Sequence, residues 1–395
     1  GEQVSFAQME DPYVDFTIDA ARDYPNWWID EFQHDIERKF NSTDGPLWRV
    51  TIYENQHEQN DPTVLIFTFH HCAFDGGSIM SFYNKFLTLC AAFDEDDSRS
   101  DVFAVPPRPG IYRNPMEIWN HPVSWWKGIS TLLGGIFNYV TGKYAVTFSP
   151  DLFNSPGLEN PEEEAHTRIY PFSLEGDVLS ELKSKCKANS VTIHSAISAA
   201  ALLAYINSYN VDCKNKKIPL FHSVSIRRFC APSVPKTELG CYLMPYLTTS
   251  RFRSTESPDI WDIAQEIQQQ THGKHFVGVL SFFLKLFKLF PPKPPKGDTQ
   301  KKEGLGRNAT AAFNISNRGY YPDLDANFGS YKVLGTYWST AEHQGGFPHT
   351  HNIVSFGGKL FWSLTYYTHV STFEQTQEYA QTIQQTLLND HWAPN

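Results

Sequence analysis

The stretch that most constrains this chain is residues 62–90. Residues 62–71, Pro-Thr-Val-Leu-Ile-Phe-Thr-Phe-His-His, form a near-continuous apolar run of strand length, which predicts a strand buried on both faces. Asp75-Gly76-Gly77 interrupts it with turn residues. Ile79, Phe82, Tyr83, Phe86, Leu89 and Cys90 then recur at helical spacing. Strand-like and helix-like segments alternate along both halves of the chain, which predicts an α/β fold.

Between that strand and helix stands His70-His71-Cys72-Ala73-Phe74-Asp75-Gly76. Adjacent strand side chains point to opposite faces, so only one of the two histidines can enter a given cavity. Imidazole is the side chain best suited to accept a proton near neutral pH. Asp75 could raise the basicity of that ring or simply hold the turn as a helix N-cap. Gly76 permits close backbone approach. The two histidines could equally be satisfied core residues. A metal is not expected, because the usual His-Glu-x-x-His zinc spacing is missing.

Elsewhere, residues 48–53 and 217–226 read as strands, and residues 29–40 as a polar helix ending near Phe40. Val178, Leu179, Leu182 and Cys186 mark one helix; Ile193, Ile197, Ala200, Ala201 and Ala204 mark the next. Residues 258–272 predict a helix stopped by Gly273, and residues 359–368 a strand. A last helix opens on Ser371-Thr-Phe-Glu374, which fits a capping box. Pro150, Pro156, Pro161 and the acidic run Glu162-Glu163-Glu164 predict a linker over 146–170, dividing an N-terminal lobe (1–145) from a C-terminal lobe (171–395).

Length and charge limit the function. At 395 residues the chain has room for two domains or one large two-lobed domain. Its net charge of −10 disfavours nucleic acid as a partner, since phosphate binding needs a basic face. The six cysteines are scattered without a Cys-x-x-Cys pair, which predicts reduced thiols and a cytoplasmic location. No secretory signal-peptide pattern is visible. Asn41, Asn308 and Asn314 open Asn-x-Ser/Thr triplets, a pattern that also arises by chance.

His-His-x-x-x-Asp-Gly, set between an apolar strand and an amphipathic helix, resembles the signature of the CoA-dependent acyltransferase superfamily. That group includes plant BAHD acyltransferases, alcohol acetyltransferases, wax ester synthases, polyketide-associated acyltransferases and peptide-synthetase condensation domains. Three further segments support the resemblance in the same order. Gly45-Pro46-Leu47-Trp48 resembles the Pro-Leu-Trp motif of the wax ester branch. Ser225-Ile226-Arg227 resembles the strand whose arginine pairs with the motif aspartate, and Asn314-Ile-Ser316-Asn317-Arg-Gly319 resembles a Ser-Asn-x-Gly segment. Asn327-Phe328-Gly329-Ser330 is a faint echo of the plant Asp-Phe-Gly-Trp-Gly motif, lacking its Asp and Trp. His194-Ser195 stands where the wax ester branch has Asn-Asp, and the motif begins early, at residue 70, so the first lobe is expected to lack its opening elements.

The resemblance implies two chloramphenicol-acetyltransferase-like lobes, each a mixed β-sheet with flanking helices, and an active-site channel between them. It implies His71 as general base, with His70 and Gly76 completing the motif. Asp75 is expected to point away from the cavity and pair with Arg227. Asn317 and Ser316 are candidates for oxyanion or channel contacts. The expected reaction moves an acyl group from acyl-CoA, a co-substrate rather than a bound cofactor, to an alcohol, with no metal. Amide formation from a carrier-protein thioester is the alternative, and a catalytically silent binding module the third. A monomer is expected.

Two apolar segments remain. Residues 276–290 form a helix-like run whose polar face is Ser281, Lys285 and Lys288, followed by Lys293, Lys296, Lys301 and Lys302 in a Pro-rich stretch. Residues 123–140 carry Trp125, Trp126, Leu132, Leu133, Ile136, Phe137 and Tyr139. Packing against the lobes is the plain expectation for both; peripheral membrane contact through 276–290, or lysine contact with CoA phosphates, is the other. At fifteen residues, 276–290 is short for a span. His343, His349 and His351 fall beside Gly and Pro residues and are expected to be polar loop histidines near the channel.

Overall fold

A computed structural model of the chain describes residues 13–55, 62–94, 115–119, 121–141, 166–252, 259–272, 276–290, 311–325, 328–341 and 347–388. Two sheets organise them. The smaller has three strands in the order β1 (Asp15–Ala20), β2 (Trp48–Glu54), β3 (Val64–Phe69), with β1 parallel and β3 antiparallel to β2. Helix α1 (Trp27–Glu37) joins β1 to β2. Thr68 bonds to Asp35 of α1, whose carboxylate also holds the buried Arg49 of β2 at 3.1 Å.

Strand β3 is an edge strand, and that limits its burial. Ile66 is the one buried residue of β3 and Leu65 beside it is 37 % exposed, so the two-faced burial expected from the apolar run is not found. Phe67 and Phe69 turn toward α2 (Gly76–Asp94), where Phe67 meets Phe86 edge-on at 5.2 Å and Phe69 meets Phe82 at 5.2 Å. Met80, on another face of α2, is buried with Leu324, Val354, Phe356 and Phe361 of the larger sheet and its covering loop. Helix α2 therefore packs on both sheets.

Two helices, α3 (Pro115–Ile118) and α4 (Trp125–Val140), follow. The larger sheet begins at β4 (Thr167–Glu175), inside the span expected as linker; residues 146–165 of that span lie outside the described residues. Helices α5 (Gly176–Ala188) and α6 (Ile193–Ser208), strands β5 (Lys217–Ser225) and β6 (Leu243–Arg251), helices α7 (Ile260–His272) and α8 (Phe276–Leu289), strands β7 (Asn314–Tyr320), β8 (His349–Phe356) and β9 (Lys359–Tyr367), and helix α9 (Phe373–Leu388) complete it. The strand order is β4-β9-β8-β7-β5-β6, mixed parallel and antiparallel. Residues from α5, α6, α7 and α9 bury one face, with Ile218, Ile315, Ile353 and Trp362 contributed by the strands. Edge strand β4 is covered by α1: Glu37 and Gln33 accept from the Thr167 and Ile169 N–H groups at 2.7 and 3.0 Å.

Two expectations change at this level. His349 and His351 are not loop residues; they alternate into β8 and are fully buried. Their rings reach the hydroxyls of Tyr209 at 3.0 Å and Tyr379 at 3.1 Å, and burial pushes His349 down to about 3 and His351 well below its ordinary value. His343 lies outside the described residues. The capping box of α9 sits one residue later than expected, because the helix starts at Phe373. Thr372 Oγ1 accepts from Gln375 N at 3.2 Å, and Gln375 Oε1 accepts from Thr372 N at 3.0 Å.

Candidate active site

The histidine motif occupies the turn between β3 and α2. His70 still donates its backbone N–H to Leu47 O at 2.8 Å, and its carbonyl accepts from Ala73 N at 3.0 Å, which closes the turn. The His70 ring is half-buried: Nδ1 accepts from Cys72 N at 3.3 Å, and the ring tilts against Phe40 at 5.6 Å. An accepting Nδ1 puts the neutral ring's proton on Nε2. His71, one residue on, is exposed, and no hydrogen bond to a described residue restrains its ring. The two histidines thus divide: one fastens the turn and the other faces solvent.

Asp75 fastens the turn from below. It is 2 % exposed, and its carboxylate is fully engaged. Oδ1 accepts from Ser78 N at 2.8 Å, Ser78 Oγ at 2.9 Å and Arg227 Nη2 at 2.9 Å, and Oδ2 accepts from Tyr242 N at 2.9 Å. The first is an N-cap bond for α2. The last two cross to the larger sheet. No hydrogen bond joins Asp75 to either histidine, so it does not orient an imidazole.

Arg227 lies just past β5, in the 3-10 turn Arg227–Phe229. Its Nη1 donates to Pro235 O at 3.1 Å and Glu238 O at 2.7 Å, and its Nη2 also donates to Ser78 Oγ at 2.8 Å. The guanidinium stands 4.6 Å from the Tyr242 ring centre. Ser78 also meets Gly240: its Oγ accepts from the N–H at 2.9 Å and lies 2.7 Å from the carbonyl, so its one proton is shared between that oxygen and Asp75 Oδ1. The turn that bears His71 is therefore latched to the loop between β5 and β6.

Gly76 is crowded by one arginine and Gly77, less tightly, by another, and neither has a backbone conformation that calls for glycine. A Cβ on Gly76 would stand 2.8 Å from Arg318 Nε, and one on Gly77 would stand 3.2 Å from Arg227 Nε. Arg318 was not singled out by sequence; it stood only inside the segment 314–319 that resembles a Ser-Asn-x-Gly motif, and nothing named its partner. Its guanidinium lies 3.7 Å from the Trp338 ring centre, and Nη1 reaches Met80 Sδ at 3.5 Å. It meets no carboxylate among the described residues, and burial lowers it to about 10, so it stays cationic at neutral pH. Next to it in β7, Asn317 Oδ1 accepts from Gly319 N at 2.8 Å. That bond fixes the amide orientation and leaves the Nδ2 donors without a described partner. Ser316 registers beside Asn352 of β8. Asn327 lies outside the described residues.

A second histidine pair lies apart from this turn. His194, at the start of α6, meets His222 Nδ1 at 3.1 Å, and His222 Nε2 meets Thr248 Oγ1 at 2.8 Å. Burial, with His272 nearby, holds the half-buried His194 down to about 4, and burial holds His222 well below its ordinary value, so both rings are neutral at neutral pH. Among the described residues no cluster of His, Cys, Asp or Glu has metal-holding geometry. All six cysteines are free thiols.

A family model described as alcohol acetyltransferase matches residues 29–357. No curated protein matches the chain by sequence. Among solved structures, the chain is similar to the epimerization domain from the third module of tyrocidine synthetase B, with a TM-score of 0.64 and 14 % identity over 97 % of this chain and 80 % of that one. It is similar to trichothecene 15-O-acetyltransferase from Fusarium sporotrichioides, with a TM-score of 0.62 and 12 % identity over 95 % and 76 %. It is also similar to polyketide synthase associated protein 5 from Mycobacterium tuberculosis, with a TM-score of 0.55 and 14 % identity over 89 % and 78 %. At these identities the likeness is one of fold: two sheets with flanking helices in the two-lobed acyltransferase and condensation-domain arrangement.

Proposed function

The chain belongs to the alcohol acetyltransferase family and is an acyltransferase; from that premise we propose that it moves an acyl group from acyl-CoA to an alcohol, with His71 as general base. His71 takes the proton of the acceptor hydroxyl as its oxygen attacks the thioester carbonyl. The tetrahedral intermediate then expels the CoA thiolate, which takes the proton back from the imidazolium. Protons and electrons balance without a covalent enzyme intermediate. The Asn317 Nδ2 donors are the candidate oxyanion contact, a type of contact worth roughly 3–4 kcal/mol when well placed.

One observation carries this reading. The His71 ring is exposed and unrestrained on a turn whose backbone is clamped by a buried carboxylate that spends none of its bonds on imidazole. A general base needs a free nitrogen on a fixed support. The test is His71→Ala, followed by mass spectrometry of products from a mixed acyl-CoA and alcohol panel. A loss of about 10²- to 10⁴-fold is expected, with an unchanged melting temperature. Full rate in the variant would remove His71 from the mechanism, and no transfer by the wild type across the panel would favour a silent binding module.

Likeness of fold to the first condensation domain of the CDA synthetase supports a second reading, amide formation from a carrier-protein thioester. Calorimetry separates the two donors: CoA binding supports the first reading, and carrier-protein binding without CoA binding supports the second.

A further inference from the structure

Helix α4 has three distinct faces. Trp125 and Gly128 turn toward α8, where a Cβ on Gly128 would stand 2.1 Å from Phe282 Cγ and Trp125 meets Phe282 edge-on at 5.8 Å. Lys127, Ser130 and Thr131 form a polar face. The third face is Trp126, Ile129, Leu133, Ile136, Phe137 and Val140, spaced as one helical stripe and exposed, to 84 % at Trp126 and 77 % at Val140. Docking on α8 does not use this stripe.

The expectation from sequence placed peripheral membrane contact on residues 276–290, of which the structure leaves only the end exposed. The first half of α8 is buried: Phe276, Leu280 and Leu284 pack with Ile118, Ile226, Tyr242 and Met244. Ser281, expected on its polar face, is buried and accepts from Trp119 Nε1 at 2.9 Å. Only the end of α8 is open, with Leu289 56 % and Phe290 71 % exposed. The sequence in and after these helices is opposite in charge to the whole chain. Residues 276–302 contain six lysines against one acid, Asp298, in a chain of net charge −10, and residues 121–141 contain no acid. Lys127, Lys285 and Lys288 are exposed. No single described helix is long and apolar enough to cross a bilayer.

We propose that α4, with the C-terminal end of α8, docks on the surface of an anionic lipid bilayer. The apolar stripe of α4 enters the headgroup–acyl boundary, and Lys127, Lys285 and Lys288 meet headgroup phosphates. An exposed apolar stripe, a tryptophan at its start and flanking lysines are the elements of an interfacial helix. The buried half of α8 shares its apolar cluster with Ile226 and Tyr242, the first next to Arg227 in sequence and the second in contact with it, so the bilayer face and the latch lie on one packed unit.

The test uses the whole chain and two vesicle compositions, phosphatidylcholine alone and phosphatidylcholine with phosphatidylserine. Wild type is expected to co-sediment with the anionic vesicles, more weakly in high salt. Lys285→Gln/Lys288→Gln is expected to weaken that binding by about fivefold per lysine. Trp126→Ser/Leu133→Ser/Val140→Ser is expected to abolish it, with an unchanged melting temperature and acyl transfer to a soluble alcohol, because these side chains are exposed. Wild type remaining in the supernatant with both vesicles overturns the proposal. So does a triple variant that sediments like wild type, or a wild-type dimer that the triple variant converts to monomer, since a second copy would then cover the stripe.

Discussion

Replacing Asp75 with asparagine tests the latch with almost no change in shape. The carboxylate faces donors on both sides: Ser78 N, Ser78 Oγ and Arg227 Nη2 at Oδ1, and Tyr242 N at Oδ2. An amide has one accepting oxygen. Whichever way the new amide is turned, its NH₂ meets a donor, either Tyr242 N or the Ser78–Arg227 group. One buried backbone or guanidinium donor then loses its acceptor, at about 1–3 kcal/mol. Arg227, 9 % exposed at its side chain, also loses its counter-charge, and breaking a buried pair from one side costs about 3–5 kcal/mol. The two costs overlap, because Arg227 keeps its bonds to Pro235 O, Glu238 O and Ser78 Oγ. A net loss of about 3–4 kcal/mol is expected for Asp75→Asn, read as a lowered urea midpoint at constant slope. Acyl transfer should fall as well, since the same bonds hold the His71 turn. In a double-mutant cycle with Arg227→Met, the two losses should be strongly non-additive. An Asp75→Asn protein as stable as wild type, or additive losses in the cycle, would refute the latch.

Gly76→Ala should act through space alone, because the new Cβ meets Arg318 Nε at 2.8 Å and its Cδ and Cγ at 3.4 Å, and the Arg318 guanidinium is already packed 3.7 Å from the Trp338 ring centre. A loss of about 1–3 kcal/mol and of transfer rate is expected. Gly134→Ala in α4, where nothing lies within 4 Å, should be neutral or slightly stabilising in the same denaturant assay. Equal effects at the two glycines would show that Arg318 has room to move. The buried histidines set an acid limit on stability. His194 is held at about 4 and His349 at about 3, with His222 and His351 well below their ordinary values, all by burial. The unfolded chain takes up protons at these sites below about pH 6.5 and the folded chain does not, so their contribution is complete above that pH and is lost as pH falls toward 4. Each site can contribute up to about 1.4 kcal/mol per pH unit in that window. Urea midpoints measured at about pH 7.5 and about pH 5 should show the drop, and a flat profile would contradict neutral burial.

What the sequence made legible was local. Strand, turn and helix over 62–90 follow from a period change that needs no tertiary context, and α5, α6, α7 and β9 were found the same way. The Asp75–Arg227 bond joins residues 152 positions apart, and only resemblance to a family connected them. Gly76 and Arg318 had no such pointer: a glycine's lack of a side chain does not say which neighbour uses the space. His349 and His351 were misplaced because Gly345, Gly346 and Pro348 precede them and polar residues fall on both faces of β8, which hides its alternation. The capping box slipped by one residue because Ser371-Thr-Phe-Glu374 and Thr372-Phe-Glu-Gln375 both have the right spacing. The stripe on α4 was visible as a pattern, but an apolar stripe ordinarily packs inside, and only coordinates reveal which of two apolar faces is taken.

The position of the latch explains how the turn beneath a free surface histidine can be held still. His71 follows a strand of the smaller sheet, yet the bonds that fix its turn come from the loop between β5 and β6, in the larger sheet. Helix α2 sits between, with Phe82 and Phe86 on one sheet and Met80 on the other. A small rotation of the smaller sheet would therefore bend β3 before it moved the turn, because the buried carboxylate holds the turn to the opposite sheet. Chemistry and architecture separate on this basis. His71→Ala should lower rate at constant stability, whereas Asp75→Asn and Gly76→Ala should lower both together. A latch variant that lost stability but kept full rate would show that His71 is positioned by something other than the turn beneath it.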